Sequence, residues 1–522
     1  MTEATARPGA IELIAATMDQ GSWRGWHEGG VVSPGDPAYQ AALARARERT
    51  GLDMAVVTGE GRLRGRRVAI IACEFGFLAG TIGVAEGERL VRAVERATAE
   101  RLPLIAFPAS GGTRMQEGTV AFLQMVKVAA AIADHKAGGL PYLVYLRHPT
   151  TGGVLSSWGS LGHVTMAEPG ALIGFLGPRV YEALYGEPFP PGVQVAENLH
   201  AKGLIDAVVP AGEVGEMAAR ALAVLCAAAS PASVSVPATS RAGSAEPHEA
   251  VRREGAPDTV ESHKAAGGAE VPAAESIRRS RRPDRPGVRE LLRTAATDVT
   301  PLSGTAAGER DPGLLLALAR FGAAPCVVLG QDRDRQRGHQ PLGPAGLREA
   351  QRGMRLAAEL GLPLVSVVDT EGAALSQAAE EGGLAGEIAR CLAELVRLGA
   401  PTICLLLGEG TGGAALALLP ADRVIAARHA WLSPLPPEGA SAILYRTTDR
   451  AAEIAQAQGV RAADLLAAGI VDRIVEERPD AADEPDAFLR RVGAALEDEL
   501  AALLVQDSAE RSAARRRRYR VL

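Results

Sequence analysis

The chain has 522 residues, more than one compact core holds, so its length predicts two or three domains. With 56 Lys plus Arg against 62 Asp plus Glu, the formal charge is only -6, which excludes general attraction to nucleic acid or an anionic membrane and points to small molecules or proteins as partners. Hydrophobic residues at 47% are ordinary for a globular protein, but 4% aromatics and 59 glycines require cores of Ala, Leu, Val and Ile and many backbone positions free of a Cβ.

The five cysteines, Cys73, Cys226, Cys326, Cys391 and Cys404, form no CxxC pair and are odd in number. This argues against a disulfide framework or a zinc ribbon and predicts reduced, buried thiols in a cytoplasmic protein. The start, MTEATARPGAIELIAATMDQ, carries Glu3 and Glu12 and lacks the basic and apolar regions of a signal peptide. No run approaches the roughly 18 apolar residues of a membrane span.

In chain order, a polar helix over 36–50 precedes the first domain. The helix-period segment GERLVRAVERATAERLP leads into the apolar run LPLIAF, then into the Gly-rich ASGGTRMQEG from Ala109. A second apolar run, GLPYLVY from Gly139, leads into HPTTGGVLSSWGSLG from His148. Between Pro190 and Arg320 there is no Phe, Trp or Tyr, and 229–285 is mostly Ala, Ser, Pro, Glu and Arg without apolar periodicity. That composition predicts a disordered linker. The expected domains are therefore 1–228 and 286–522, joined by 229–285. The tail, 484–522, reads as one long helix running into RRRRYR, a charge run suited to a helix C-terminus.

The two halves echo each other. RLPLIAF from Arg101 matches GLPLVSV from Gly361, GLPYLVY matches GAPTICL from Gly399, and Thr151-Gly152-Gly153 matches Thr411-Gly412-Gly413, each 260 residues later. KGLIDAVVP from Lys202 matches AGIVDRIVE from Ala468, 266 residues later. A shared register over several strings predicts a duplicated domain. Continuous apolar runs alternating with helices predict α/β halves built of βα crossover units, with strands buried on both faces.

The paired Gly-rich turns carry the chemistry. A strand running into two glycines and a helix places backbone N–H groups where an oxygen can become negative during reaction. Gly111, Gly112 and Arg114 in ASGGTRMQEG, and Gly372 in the counterpart DTEGAALSQAAEEGG, are expected to line a substrate cleft at the carboxyl ends of the strands. Arg114 and Glu117 could alternatively form a surface pair at i, i+3. No GxSxG, HExxH or Walker A sequence occurs, and His135, His148 and His163 read as surface or loop residues.

These strings are familiar. Over about 23–213, TGLDMAVVTGEG, ASGGTRMQEG, PTTGGVLSSWGSLG and AEPGALIGFLGPRV resemble the beta subunit of the carboxyltransferase of bacterial acetyl-CoA carboxylase. Over about 282–477, GMRLAAELGLPLVSVVDTEGA, GEGTGGAALA and PPEGASAILYR resemble its alpha subunit, as in fused actinobacterial carboxyltransferases. The resemblance implies two crotonase-like ββα superhelix domains, acyl-CoA on the N-terminal one and carboxybiotin on the C-terminal one, often across a dimer interface. Carried over, Gly152 and Gly153 would hold the enolate oxygen of the thioester, and Gly412, Gly413 and Ala414 the ureido oxygen of biotin. Carboxybiotin would release CO2, the ureido nitrogen would take the α-proton, and the enolate would attack CO2, converting acetyl-CoA to malonyl-CoA.

The resemblance also implies a homodimer and separate partners: a biotin carboxyl carrier protein and a biotin carboxylase, since the chain has neither a Met-Lys biotinylation site nor an ATP-binding carboxylase region. The zinc ribbon that often precedes the beta-subunit motifs is missing, so no metal is expected. The alpha-subunit pattern DTPGAYPG appears as DTEGAALS, with Glu371 and Ala374 in place of Pro and Tyr, and the glycine run is shortened to TGGAA. Another crotonase-superfamily acyl-CoA enzyme, or a subunit that only docks the carrier, would be the competing readings.

Overall fold

A computed structural model describes residues 7–26, 37–226, 271–337 and 340–521. Each half is built on one mixed sheet. The first runs in the order Arg24–Gly25, Val56–Leu63, Arg66–Cys73, Leu104–Phe107, Tyr142–Leu146, Val164–Ala167, Ala207–Val208. The second runs Thr297–Leu302, Leu314–Phe321, Ala324–Gln331, Leu364–Thr370, Thr402–Thr411, Arg423–Ala427, Arg473–Val475. In both, the first three strands pair antiparallel and the rest parallel. The apolar runs become strands with every residue buried, because helices cover both faces.

Helix Val84–Ala99 shows how the crossovers form. Glu86 accepts the N–H of Gly83 at its start, and Leu90, Val91, Val94 and Ala97 recur on the face that packs inward. The largest hydrophobic core runs through both halves, from Ile71 and Leu104 to Leu405 and Tyr519. Helix Gly118–Ala137 of the first half lies against Leu384–Arg397 of the second. The Thr119 hydroxyl donates to the carbonyl of Leu432 at 3.0 Å, and the Gln458 amide to that of Met115 at 2.9 Å.

Three expectations are corrected. Of the expected linker, 229–270 lies outside the described residues, but 271–285 is ordered: helix Ala273–Ser280 buries Ala273, Ser276, Ile277 and Ser280. Arg285 pairs with Glu477 at 2.6 Å with both side chains fully buried, so ion pairing takes the place of an apolar pattern. The tail is two helices, Pro485–Leu504 and Ser508–Arg520, the second capped by the Asp507 carboxylate. Its charge run is partly interior, with Arg515 and Tyr519 buried, as is Arg511 one turn before it. Finally, His135 is fully buried rather than on the surface, held by the Thr98 hydroxyl and the Pro141 carbonyl, and burial pushes its imidazole down to about 4.

All five cysteines are free, four of them buried. Among the described residues no group of three or more His, Cys, Asp or Glu gathers to hold a metal ion, and no helix is long and apolar enough to cross a membrane.

Candidate active site

Both glycine turns open into one cavity of about 2030 Å³, walled by the two halves together. A pocket for one small ligand spans roughly 300–1,000 Å³, so this cavity has room for two ligands to meet.

On the N-terminal side, Thr151 precedes the short helix Gly152–Leu155 without capping it, its hydroxyl instead reaching the Ser110 carbonyl. Gly152 adopts φ 62°, the left-handed region an L side chain resists. Its N–H donates to the Phe175 carbonyl at 3.0 Å. The expected pair of donors is thereby reduced, since the N–H of Gly152 is used within the fold, while that of Gly153 has no acceptor among the described residues. Gly111, Gly153 and Gly372 line the cavity. Gly112 lies behind it, where a Cβ would come 3.2 Å from the Gly153 nitrogen.

Arg114 does not face the cavity. It is fully buried and pairs with Glu86 at 2.7 Å, with Glu117 at 3.9 Å and the Tyr39 hydroxyl alongside. Neither the substrate-binding nor the surface-pair expectation holds, because a buried guanidinium needs its charge matched internally. His148 lines the cavity, but its Nδ1 accepts the N–H of Leu172, and the Nδ1 of His163 accepts that of Tyr142.

On the C-terminal side, Thr411 likewise leaves helix Gly412–Leu416 uncapped, and Gly412 repeats the geometry at φ 64°. Gly412 and Gly413 line the cavity; Ala414 is buried behind them, its carbonyl taking the Gln331 amide at 2.8 Å. A Cβ on Gly413 would meet Ile388 at 2.8 Å and the Phe175 ring at 2.9 Å.

Four further residues complete the site. Phe175 and Glu380 join the halves: the Phe175 N–H donates to Glu380 at 2.7 Å, and burial holds that carboxyl above its usual range. Glu409, two residues before Thr411, is buried and accepts from Arg281 at 3.1 Å and from the Thr411 hydroxyl at 3.3 Å. Burial pushes its carboxyl up to about 6, against the pull of Arg281 and with Glu371 and Asp369 adding to the rise. Arg281 comes from the segment expected to be linker, also pairs with Glu438 at 2.8 Å, and stacks over Trp431. Phe175 and Glu409 stand inside the strings FLGPRV and GEGTGG, where the glycines are the stronger sequence signal.

Two halves of matching topology each present an uncapped glycine turn to a shared cavity, an arrangement able to stabilise a developing oxyanion with backbone N–H groups. The chain belongs to the Carboxyl transferase domain family, which matches residues 9–517. It is 59% identical over 509 residues to a probable biotin-dependent acyl-coenzyme A carboxylase beta3 subunit of Mycobacterium tuberculosis, covering 98% of this chain and 97% of the relative. It is 39% identical to the acetyl-coenzyme A carboxylase carboxyl transferase subunits beta/alpha of Salinispora arenicola, over 92% of this chain and 84% of the relative. Among solved structures it matches transcarboxylase 12S at 21% identity and a TM-score of 0.35, over 94% of this chain and 89% of that one. Biotin-dependent acyl-CoA carboxyl transfer is the activity that family membership carries.

Proposed function

We propose that the chain moves a carboxyl group from biotin on a separate carrier protein to the α-carbon of acetyl-CoA, giving malonyl-CoA, as the carboxyltransferase component beside a separate biotin carboxylase. The observation that carries this reading is the shared cavity: Gly153 from one half and Gly413 from the other face the same space. The matching strand orders and the constant offset support two crotonase-like domains derived from one duplicated unit.

The residues present fit biotin. The first-turn N–H of Gly413 lacks a side-chain cap, and the absence of a Cβ lets the wall close on Phe175. Bound carboxybiotin supplies the carboxyl group and a basic ureido nitrogen. Gly153 holds the thioester oxygen as it becomes an enolate, and Gly412 and Gly413 hold the ureido oxygen. Each such donor contributes on the order of 10²- to 10³-fold in rate. Phe175, Leu176 and Leu435 give the cavity part of its apolar lining. We further propose a homodimer as the working species, as the fused order of a two-subunit enzyme implies.

The test is a coupled assay of the chain with biotin carboxylase, carrier, ATP and bicarbonate across a series of acyl-CoA esters. Malonyl-CoA formation from acetyl-CoA is expected. Transfer only to longer esters would replace acetyl-CoA as the substrate, and transfer to none would remove the proposal.

A further inference from the structure

We propose that the Glu409 carboxylate accepts the ring N–H of the biotin urea. Glu409 and the Gly412–Gly413 turn would then read the adjacent N–H and C=O of one cyclic urea. This assignment rests on the carboxyltransferase reading of the cavity and names the group that recognises biotin within it.

Glu409 lines the cavity although only 3% of the residue is exposed. Its Oε1 is occupied by Arg281 and the Thr411 hydroxyl, while Oε2 makes no hydrogen bond among the described residues. Oε2 is not among the buried atoms that lack a partner, so in a residue this enclosed it is the oxygen left to the cavity, where a ligand donor can reach it. Three and four residues further on, Gly412 and Gly413 present donors rather than acceptors. A ligand that satisfies both must carry an N–H beside a carbonyl, as a cyclic urea does.

The groups around Glu409 set when it is an acceptor. Arg281 reaches it from the segment after helix Ala273–Ser280 and anchors on Glu438 of helix Pro437–Tyr445. Glu371 faces it from the loop after strand Leu364–Thr370, and Asp369 of that strand takes the Glu409 N–H at 3.0 Å. The two carboxylates oppose the charge on Glu409, and Arg281 favours it. With its carboxyl pushed up to about 6, Glu409 is ionised above that pH and becomes an O–H donor below it.

The experiment is a ligand-observed NMR titration of the full chain with free biotin, with biotin methylated on the ureido nitrogen that does not carry the carboxyl group, and with acetyl-CoA. In the wild type, methylation is expected to weaken binding by about 10- to 100-fold, the scale of a hydrogen bond to a charged group. Glu409→Ala should weaken biotin by the same factor, bind both forms alike, and leave acetyl-CoA affinity within about 2-fold.

Should Glu409→Ala not fold, Glu409→Gln serves: wild-type biotin affinity should fall as pH drops below about 6, and that of the Gln variant should not. Unchanged biotin affinity in a folded Ala variant, continued discrimination against the methylated form, a loss confined to acetyl-CoA, or a pH-flat wild type would each overturn the assignment. A failure of the carboxyltransferase reading shows separately, as a wild type that carboxylates no ester in the coupled assay.

Discussion

The ring of Phe175, from the N-terminal half, lies against the backbone of Gly413, from the C-terminal half, where a Cβ on Gly413 would come within 2.9 Å of it. The same residue accepts the Gly152 N–H through its carbonyl and donates its own N–H to Glu380. One residue thus couples the two glycine turns, by its backbone on one side and its ring on the other, and the close approach depends on residue 413 having no side chain.

Gly413→Val should therefore lower turnover by at least about 100-fold, the scale of losing one oxyanion donor. Ile388 is a fully buried core side chain and the Phe175 ring borders the cavity, so the backbone must shift or the ring must swing into the space where ligands meet. Gly153→Val meets Thr113 and the flexible Met125 and should cost less structurally while still blocking the thioester oxygen. Steady-state kinetics should assign the first change to the biotin side and the second to acyl-CoA. Near-normal turnover in both folded variants would mean that a side chain, and not the backbone, stabilises the charge.

Much of this arrangement was legible in the sequence. LPLIAF and PTICLLL are apolar without alternation, which only a strand covered on both faces requires, and the repeated TGG fixed where each turn falls. Partners across the two halves are not legible, because nothing in FLGPRV shows that Phe175 meets a glycine 238 positions later. Residues 271–285 are hard to read because their buried face, Ala273, Ser276, Ile277 and Ser280, is short and of small residues, and the rest is held by arginine ion pairs such as Arg285 with Glu477. The helix break in the tail did carry a signal: Asp507 followed three residues later by Glu510 is an N-terminal pattern.

The C-terminal helix should act as a structural clamp. Arg515 is fully buried, bonded to Asp422 at 2.7 and 2.8 Å and to the carbonyls of Leu395, Leu398 and Ala400. Arg515→Met leaves Asp422 without its main counter-charge and should destabilise by about 3–5 kcal/mol in chemical denaturation. Its exposed neighbour Arg516 should tolerate Ala within about 0.5 kcal/mol. Equal, small effects at both positions would make the burial of Arg515 energetically idle.

Cutting the chain between 229 and 270 should leave two fragments that stay together and remain active. The contacts joining the halves, including Arg520 with Glu95 at 2.8 Å and Lys202 with Glu381 at 2.8 Å, run between other residues. Deleting 271–285 should abolish activity, since it removes Arg281 from the cavity wall and Arg285 from its pair. An engineered protease site, size-exclusion chromatography and the coupled assay measure both. Separation of the fragments after a single cut would show that the covalent link, rather than the interface, holds the halves together.

Glu409 should leave its mark on stability as well as on binding. Its carboxyl stands at about 6 in the folded chain against an ordinary value of 4.5, so the folded state binds the proton more tightly than the unfolded state. An acid raised in this way contributes stability below its unfolded value and loses it as pH rises through the folded one. The loss amounts to about 2 kcal/mol by pH 7, at 1.36 kcal/mol per unit. Other groups, such as the Arg285-paired Glu477 that is held low, titrate alike in wild type and variant. The difference in unfolding free energy between wild type and Glu409→Gln isolates the Glu409 contribution. It should shift by about 2 kcal/mol against the wild type between pH 4.5 and 7, read by denaturant titration. A difference that stays constant with pH would show that Glu409 titrates at its ordinary value and carries no burial cost.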